Sequence, residues 1–201
     1  MTWINTIAFE DATGRLKKLY QRVKGPDNNV DNIMLAHSLR PHSMEGHMAI
    51  YKNVIHHTGN KVPKWFLEAC GVYVSHLNGC GYCFEHHYAG MQRLLKDDDR
   101  SESIRQAIIK DSPQQAFADA ELAIMRYVRK LTTKPAQMLE EDVNNLKEAG
   151  VEDGEILEIN QVASYFAYAN RMVLGLGINT DQDIIGLSPN QSDDPDNWNH
   201  S

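Results

Sequence analysis

The residues able to do chemistry are concentrated in Asn78-Gly79-Cys80-Gly81-Tyr82-Cys83-Phe84-Glu85-His86-His87. Two of the three cysteines stand three positions apart, and His87 follows Cys83 by four. Glu68 lies twelve residues before Cys80. Two thiols, an imidazole and a carboxylate are the parts needed for redox chemistry at sulfur. A thiol attacks only as its thiolate, so a base close by changes its reactivity.

A helix turning about 100° per residue sets positions 80, 83 and 87 within an arc of roughly 60°. His86 points about 100° away from His87, which makes His87 the partner of Cys83. Asn78-Gly79 reads as a turn and N-cap, putting both cysteines in the first turns of a helix. The positive end of that helix favours thiolate, most of all at Cys80, whereas a base one turn away favours Cys83. Glu68 reaches this face only if its helix packs beside the cysteine helix.

Other readings of the pair are open. A structural zinc takes four ligands, and beyond the pair the chain offers only His86, His87, His76 and Cys70, without a familiar spacing. Two small residues simply packing in a core is the plainest reading. A c-type haem needs His directly after the second Cys, where Phe84 stands, and a thioredoxin-like motif needs a βαβ pattern that is not visible.

The elements that must position these residues read as helices. Residues 12–23 put Leu16, Leu19, Tyr20 and Val23 on one face, and Gly25-Pro26 ends that stretch. Pro41 opens a second helix with the stripe Met44, Met48, Tyr51 and Ile55, ending near His57. Pro63 opens a third, which runs to about Leu77 and carries Glu68. The cysteine helix fades at Lys96-Asp97-Asp98-Asp99, read as a charged loop more than a metal cradle. Ala118, Leu122, Met125 and Val128 form a later stripe; Leu139, Val143 and Leu146 form another, closed by Gly150. Asp153 caps a long helix holding Ile156, Ile159, Ala163, Phe166 and Val173. No alternating strand pattern is found, so the fold class is all-α: one helical domain over 1–180 and a polar tail over 181–201, exposed or disordered.

The totals narrow the function. The 201 residues suffice for one core, and a net charge of −7 opposes nucleic-acid binding, which needs a basic face. No apolar run reaches the roughly 20 residues of a membrane span, and the start lacks a signal-peptide pattern, so the expected setting is the cytoplasm. There, three cysteines are not a disulfide scaffold. Cys70 reads as a buried core thiol. His37, His42, His47, His56, His57 and His76 share no spacing and read as surface or core residues, and Arg171 as a surface residue.

Glu68, eleven residues, Cys80-x-x-Cys83-x-x-x-His87, led by Val74-Ser75-x-Leu77-Asn78-Gly79, resembles the alkylhydroperoxidase D / carboxymuconolactone decarboxylase family. The length, Leu19-Tyr20 and Asn170-Arg171 are similar to its uncharacterised peroxidase-related branch. The resemblance spans roughly residues 1–180 and is most specific over 62–90. It implies an all-helical homo-oligomer that reduces hydroperoxides with its cysteine pair and without haem, flavin or metal. It implies that Cys83 attacks the peroxide, Cys80 resolves the sulfenic acid to a disulfide, and His87 with Glu68 relays the proton. It implies regeneration by a dithiol, such as a lipoyl group on a partner protein. One departure is Tyr82, where the well-studied enzyme has a histidine between its cysteines; a phenol is a poor base at neutral pH but donates a hydrogen bond. Two alternatives keep the same residues: a disulfide switch that senses peroxide without turnover, and an enzyme acting on a small lactone or acid. The second belongs to the decarboxylase branch, which lacks the cysteine pair.

Overall fold

The computed structural model describes residues 2–189, 191–194 and 196–200, and among them are nine α-helices, one of which lies enclosed by its neighbours. In chain order they are α1 (Gly14–Val23), α2 (Asn32–Ala36), α3 (Pro41–Ile55), α4 (Lys64–Leu77) and α5 (Gly81–Leu95). Then follow α6 (Asp98–Ile109), α7 (Asp119–Thr133), α8 (Glu140–Glu148) and α9 (Asp153–Leu176). Every residue of α4 from Phe66 to Ser75 is buried, as a helix hydrophobic all round must be. It packs against α5, α9 and α7, so Glu68 and the cysteine helix lie side by side.

Three of the stripes expected from periodicity are buried faces; of the other two, Ala118 and Leu139 are exposed and Leu122 and Val143 are half-buried, leaving Met125, Val128 and Leu146 inside. Leu16, Leu19, Tyr20 and Val23 of α1 are buried, as are Met44, Met48, Tyr51 and Ile55 of α3. In α9, Ile156, Ile159, Ala163, Phe166 and Val173 face the core. A fully buried side chain of this kind contributes roughly 1.5–3 kcal/mol. Gly71 is what allows α9 to approach α4: a methyl there would overlap the Phe166 ring.

Three expectations are corrected. Asn78-Gly79 does not N-cap α5; it ends α4. Gly79 takes φ +71°, Cys80 N–H donates to Ser75 O (2.8 Å) and Gly79 N–H to His76 O (3.0 Å). That is a Schellman ending, whose left-handed residue is best filled by glycine. Lys96–Asp99 is not a loop as a whole. Asp97 caps α6 by accepting from Arg100 N–H (2.9 Å), and Asp98 and Asp99 sit in its first turn, where the helix dipole favours acids.

The third correction concerns residues 181–201. The described ones form no helix, and part of the segment is buried while the rest is exposed or half-buried. The segment folds back over α2 and the cysteine helix and buries Ser188, Trp198 and His200, together with the Asp183 side chain. Asn32 fastens its start, donating to the carbonyls of Asn179 and Asp181 (2.9 Å each), and the Asn32 N–H donates to Asp183 Oδ1 (3.0 Å). Polar composition had pointed to a solvated tail; Asp183 instead finds its partners inside, while Asp181, Asp193, Asp194 and Asp196 stay exposed.

Candidate active site

The sharp turn between α4 and α5 decides where the two thiols go. Cys80 is the N-cap residue of α5, not a helical one, and Cys83 lies in the first turn. Both are free thiols and both are buried. The Cys83 thiol donates to the Cys80 sulfur. That bond, helped by the Cys83 N–H and the Asn170 side chain, holds Cys80 below the usual thiol range against the opposing cost of burial. The same bond, reinforced by burial, pushes Cys83 well above it. The dipole expectation for Cys80 runs in the same direction, although hydrogen bonds set it here.

The cysteines open to different spaces. Cys83 lines an internal cavity of about 40 Å³, walled also by Glu68, His87, Tyr51, Tyr82 and His86. A volume of this size admits one or two water-sized molecules. Cys80 lines a separate hollow of about 210 Å³ on the outer side, with Ser75, His76, Gly79, Gly81 and Phe84.

Glu68 and His87 meet as α4 and α5 pack together. His87 Nδ1 lies 2.6 Å from Glu68 Oε2, with Glu68 1% and His87 14% exposed. A buried carboxylate accepts, so Nδ1 carries the proton and Nε2 is left with the lone pair. The imidazole is held edge-on by Phe166 (centroids 4.5 Å apart) and Tyr51 (6.0 Å). All four site residues read from the sequence, Cys80, Cys83, His87 and Glu68, thus come together.

Further residues that sequence reasoning did not assign to the site lie around it. His86, set aside for pointing away from His87, lines the same cavity. Its Nε2 lies 3.4 Å from Asp183 Oδ2. Tyr82 donates to that same oxygen at 2.7 Å and accepts from Ile33 N–H at 3.3 Å. Asp31 completes this wall; burial pushes its carboxyl up to about 7, with His86 opposing the shift and Asp183 adding to it. Asn170 is fully buried behind the thiols, accepting from Asn78 Nδ2 (2.9 Å) and donating to Ser75 Oγ (3.1 Å). His47 also lines the cavity, and burial drives it down to about 3, so it is neutral. Of these, Tyr82 and Asn170 had a sequence signal through the family resemblance and His86 lay in the motif itself, whereas Asp31, His47 and Asp183 had none.

Cys70 is in the core, where burial pushes its thiol up to about 12. Arg171 is at the surface, bonded to Ala167 O. Among the described residues no cluster of three or more His, Cys, Asp or Glu side chains is arranged to hold a metal ion, and no helix is long and apolar enough to cross a membrane.

No protein-family model and no curated protein matches the sequence. Solved structures do match the fold. An uncharacterised peroxidase-related protein from Ralstonia eutropha JMP134, described as an alkylhydroperoxidase AhpD core, superposes with TM-score 0.77 at 18% identity. The match covers 89% of this chain and 91% of that one. An uncharacterised peroxidase-related protein from Silicibacter sp. TM1040 gives TM-score 0.75 at 20% identity, with the same coverages of 89% and 91%. A protein of unknown function from Agrobacterium tumefaciens gives TM-score 0.59 at 19% identity, over 71% of this chain and 93% of that one. The nine-helix arrangement that brings Glu68 and His87 to the cysteine pair is therefore the fold of the alkylhydroperoxidase AhpD core.

Proposed function

We propose that the protein is a cysteine-based hydroperoxide reductase in which Cys83 attacks the peroxide, Cys80 resolves, and His87 with Glu68 moves the proton. The observation that carries this reading is the separation of the two thiols: Cys83 faces the cavity that Glu68 and His87 wall, while Cys80 faces outward.

The sequence of steps follows from that arrangement. A small hydroperoxide group enters the cavity and meets Cys83. The thiol proton leaves toward His87 Nε2, whose ring is oriented by Glu68. The thiolate attacks the peroxide O–O bond, giving sulfenic acid at Cys83 and an alcohol. Cys80, already within hydrogen-bond reach, displaces water to close the disulfide. A dithiol arriving at the outer hollow then attacks the disulfide from the Cys80 side and restores both thiols. The peroxidase-related descriptions of the matching structures support the reaction class. A second copy of the chain and a lipoyl-type dithiol remain the partners this reading implies.

A second reading rests on the acidity of Cys80. Held below the ordinary thiol range, it is the better resting thiolate and the rival nucleophile, attacking from the outer hollow. The test is consumption of tert-butyl hydroperoxide with dihydrolipoamide as reductant. The proposal expects turnover in the wild type and none in Cys83→Ser; full activity in that variant removes Cys83 from the mechanism.

A further inference from the structure

Two neighbouring histidines of α5 each meet a carboxylate from another part of the chain, on different walls of one cavity. His87 meets Glu68 of α4, and His86 meets Asp183 of the segment after α9. The first pair is a hydrogen bond of 2.6 Å; the second is an ion-pair contact of 3.4 Å, outside hydrogen-bond geometry. His86 is buried, and its Nε2 has no hydrogen-bond partner among the described residues. A buried ring nitrogen left unbonded beside a cavity is costly unless something uses it.

Reduction of a peroxide has a second proton requirement besides activation of the thiol. When sulfur takes one oxygen, the other departs as alkoxide, a poor leaving group unless it is protonated as the bond breaks. His87, once it holds the thiol proton, is committed to Glu68 through Nδ1, and His86 offers a second proton donor on another wall of the same cavity. Tyr82 is unsuited: burial, then Asp183 and Asp31, push its phenol well above the ordinary value. His86 has the nitrogen, the position and the charged surroundings.

We infer that His86 is the general acid of the same reaction and that Asp183 is its positioning residue, so the C-terminal segment completes the site. This rests on the peroxidase reading above. The step balances as follows: Cys83 thiolate plus ROOH plus protonated His86 gives Cys83 sulfenic acid, ROH and neutral His86. An S–O bond forms and the O–O bond breaks; sulfur is oxidised, the peroxide is reduced, and the alkoxide takes the His86 proton. The proton removed from Cys83 by His87 equals the one His86 gives up, so passage between the two resets the site. Besides Asp183, the groups facing His86 are Tyr82 on its own helix, Asp31 before α2, and His200 of the same C-terminal segment. Asp183 is fixed independently by Tyr82 and by the Asn32 N–H, so it holds its place whether or not His86 is charged.

The test compares two oxidants with different leaving groups in single-turnover oxidation of the full chain. Tert-butyl hydroperoxide expels an alkoxide and needs an acid; peracetic acid expels a carboxylate and does not. His86→Gln is expected to slow the first reaction about 10²- to 10⁴-fold and the second less than about tenfold. Asp183→Asn is expected to show the same selectivity with a smaller loss, and it decides the matter if His86→Gln does not fold. Equal slowing with both oxidants means a structural role and overturns the inference, as does an unchanged rate with tert-butyl hydroperoxide. A wild type inert to both oxidants overturns the peroxidase reading, and the inference with it.

Discussion

Glu68 and His87, nineteen residues apart, share a 2.6 Å hydrogen bond across the α4–α5 interface, and that bond fixes which imidazole nitrogen is free. Nδ1–H is committed to the carboxylate, so only Nε2 can take a proton from within the cavity. Turnover should therefore depend on the ring first and on its orienting partner second. His87→Ala is expected to slow peroxide reduction about 10²- to 10⁴-fold. Glu68→Gln should lose less, because the amide oxygen can still accept from Nδ1–H. Steady-state kinetics of the two variants, with folding checked by circular dichroism, would show the order.

The two cysteines should separate cleanly when removed singly. Cys80→Ser is expected to consume about one equivalent of peroxide and stop, with the sulfenic acid at Cys83 trapped by dimedone. Cys83→Ser is expected to give no trapped product in the same assay. The opposite pattern would favour attack by Cys80, the more acidic thiol at rest.

Much of this arrangement is legible in the sequence because it is local or periodic. The stripes of α1, α3 and α9 are buried as their spacing dictates, and Cys83 to His87 is one helical turn. What periodicity cannot carry is the meeting of Asp31, His86 and Asp183, three residues from three segments with no shared period. The run Lys96–Asp99 is ambiguous for another reason: acids that repel one another in a loop are stabilising at a helix start, and the short stripe of α6, Ile104, Ala107 and Ile108, begins only after it. Cys80 lay one residue outside the helix expected for it, since the glycine ending of α4 uses the turn that an N-cap would have used.

Gly71 should be intolerant of any side chain. A methyl would overlap the Phe166 ring, and Phe166 holds His87 edge-on with centroids 4.5 Å apart. Gly71→Ala is expected to destabilise the protein by about 1–3 kcal/mol and to lower turnover by displacing the imidazole. Gly154→Ala in α9, where a methyl meets open space, is the control and should be neutral or stabilising. Thermal unfolding of the two variants is the measurement.

Acid should weaken the fold well before its carboxylates protonate in bulk. Burial lowers His47 to about 3, His200 to about 4, and His56 well below its ordinary value of 6.5. A group with a depressed folded pKa contributes fully above its unfolded value and loses that contribution as pH falls through the folded value, so these three lose stability below about pH 6.5. Asp31 acts the other way: raised from 3.8 to about 7, it is protonated more readily in the folded chain and recovers stability over the same range. His37, also lowered by burial, adds to the loss, so four histidines against one carboxyl leave a net loss of at least about 3 kcal/mol between pH 7 and pH 5. Denaturant unfolding at both values would measure it, and equal stability would mean that the buried histidines are already charged in the fold.

The most direct test of the account is intact mass and peptide mapping of the reduced, metal-free protein before and after one equivalent of tert-butyl hydroperoxide. The account predicts a Cys80–Cys83 disulfide formed within seconds, with Cys70, buried in the core, still a thiol. Unchanged thiols at Cys80 and Cys83 would contradict it.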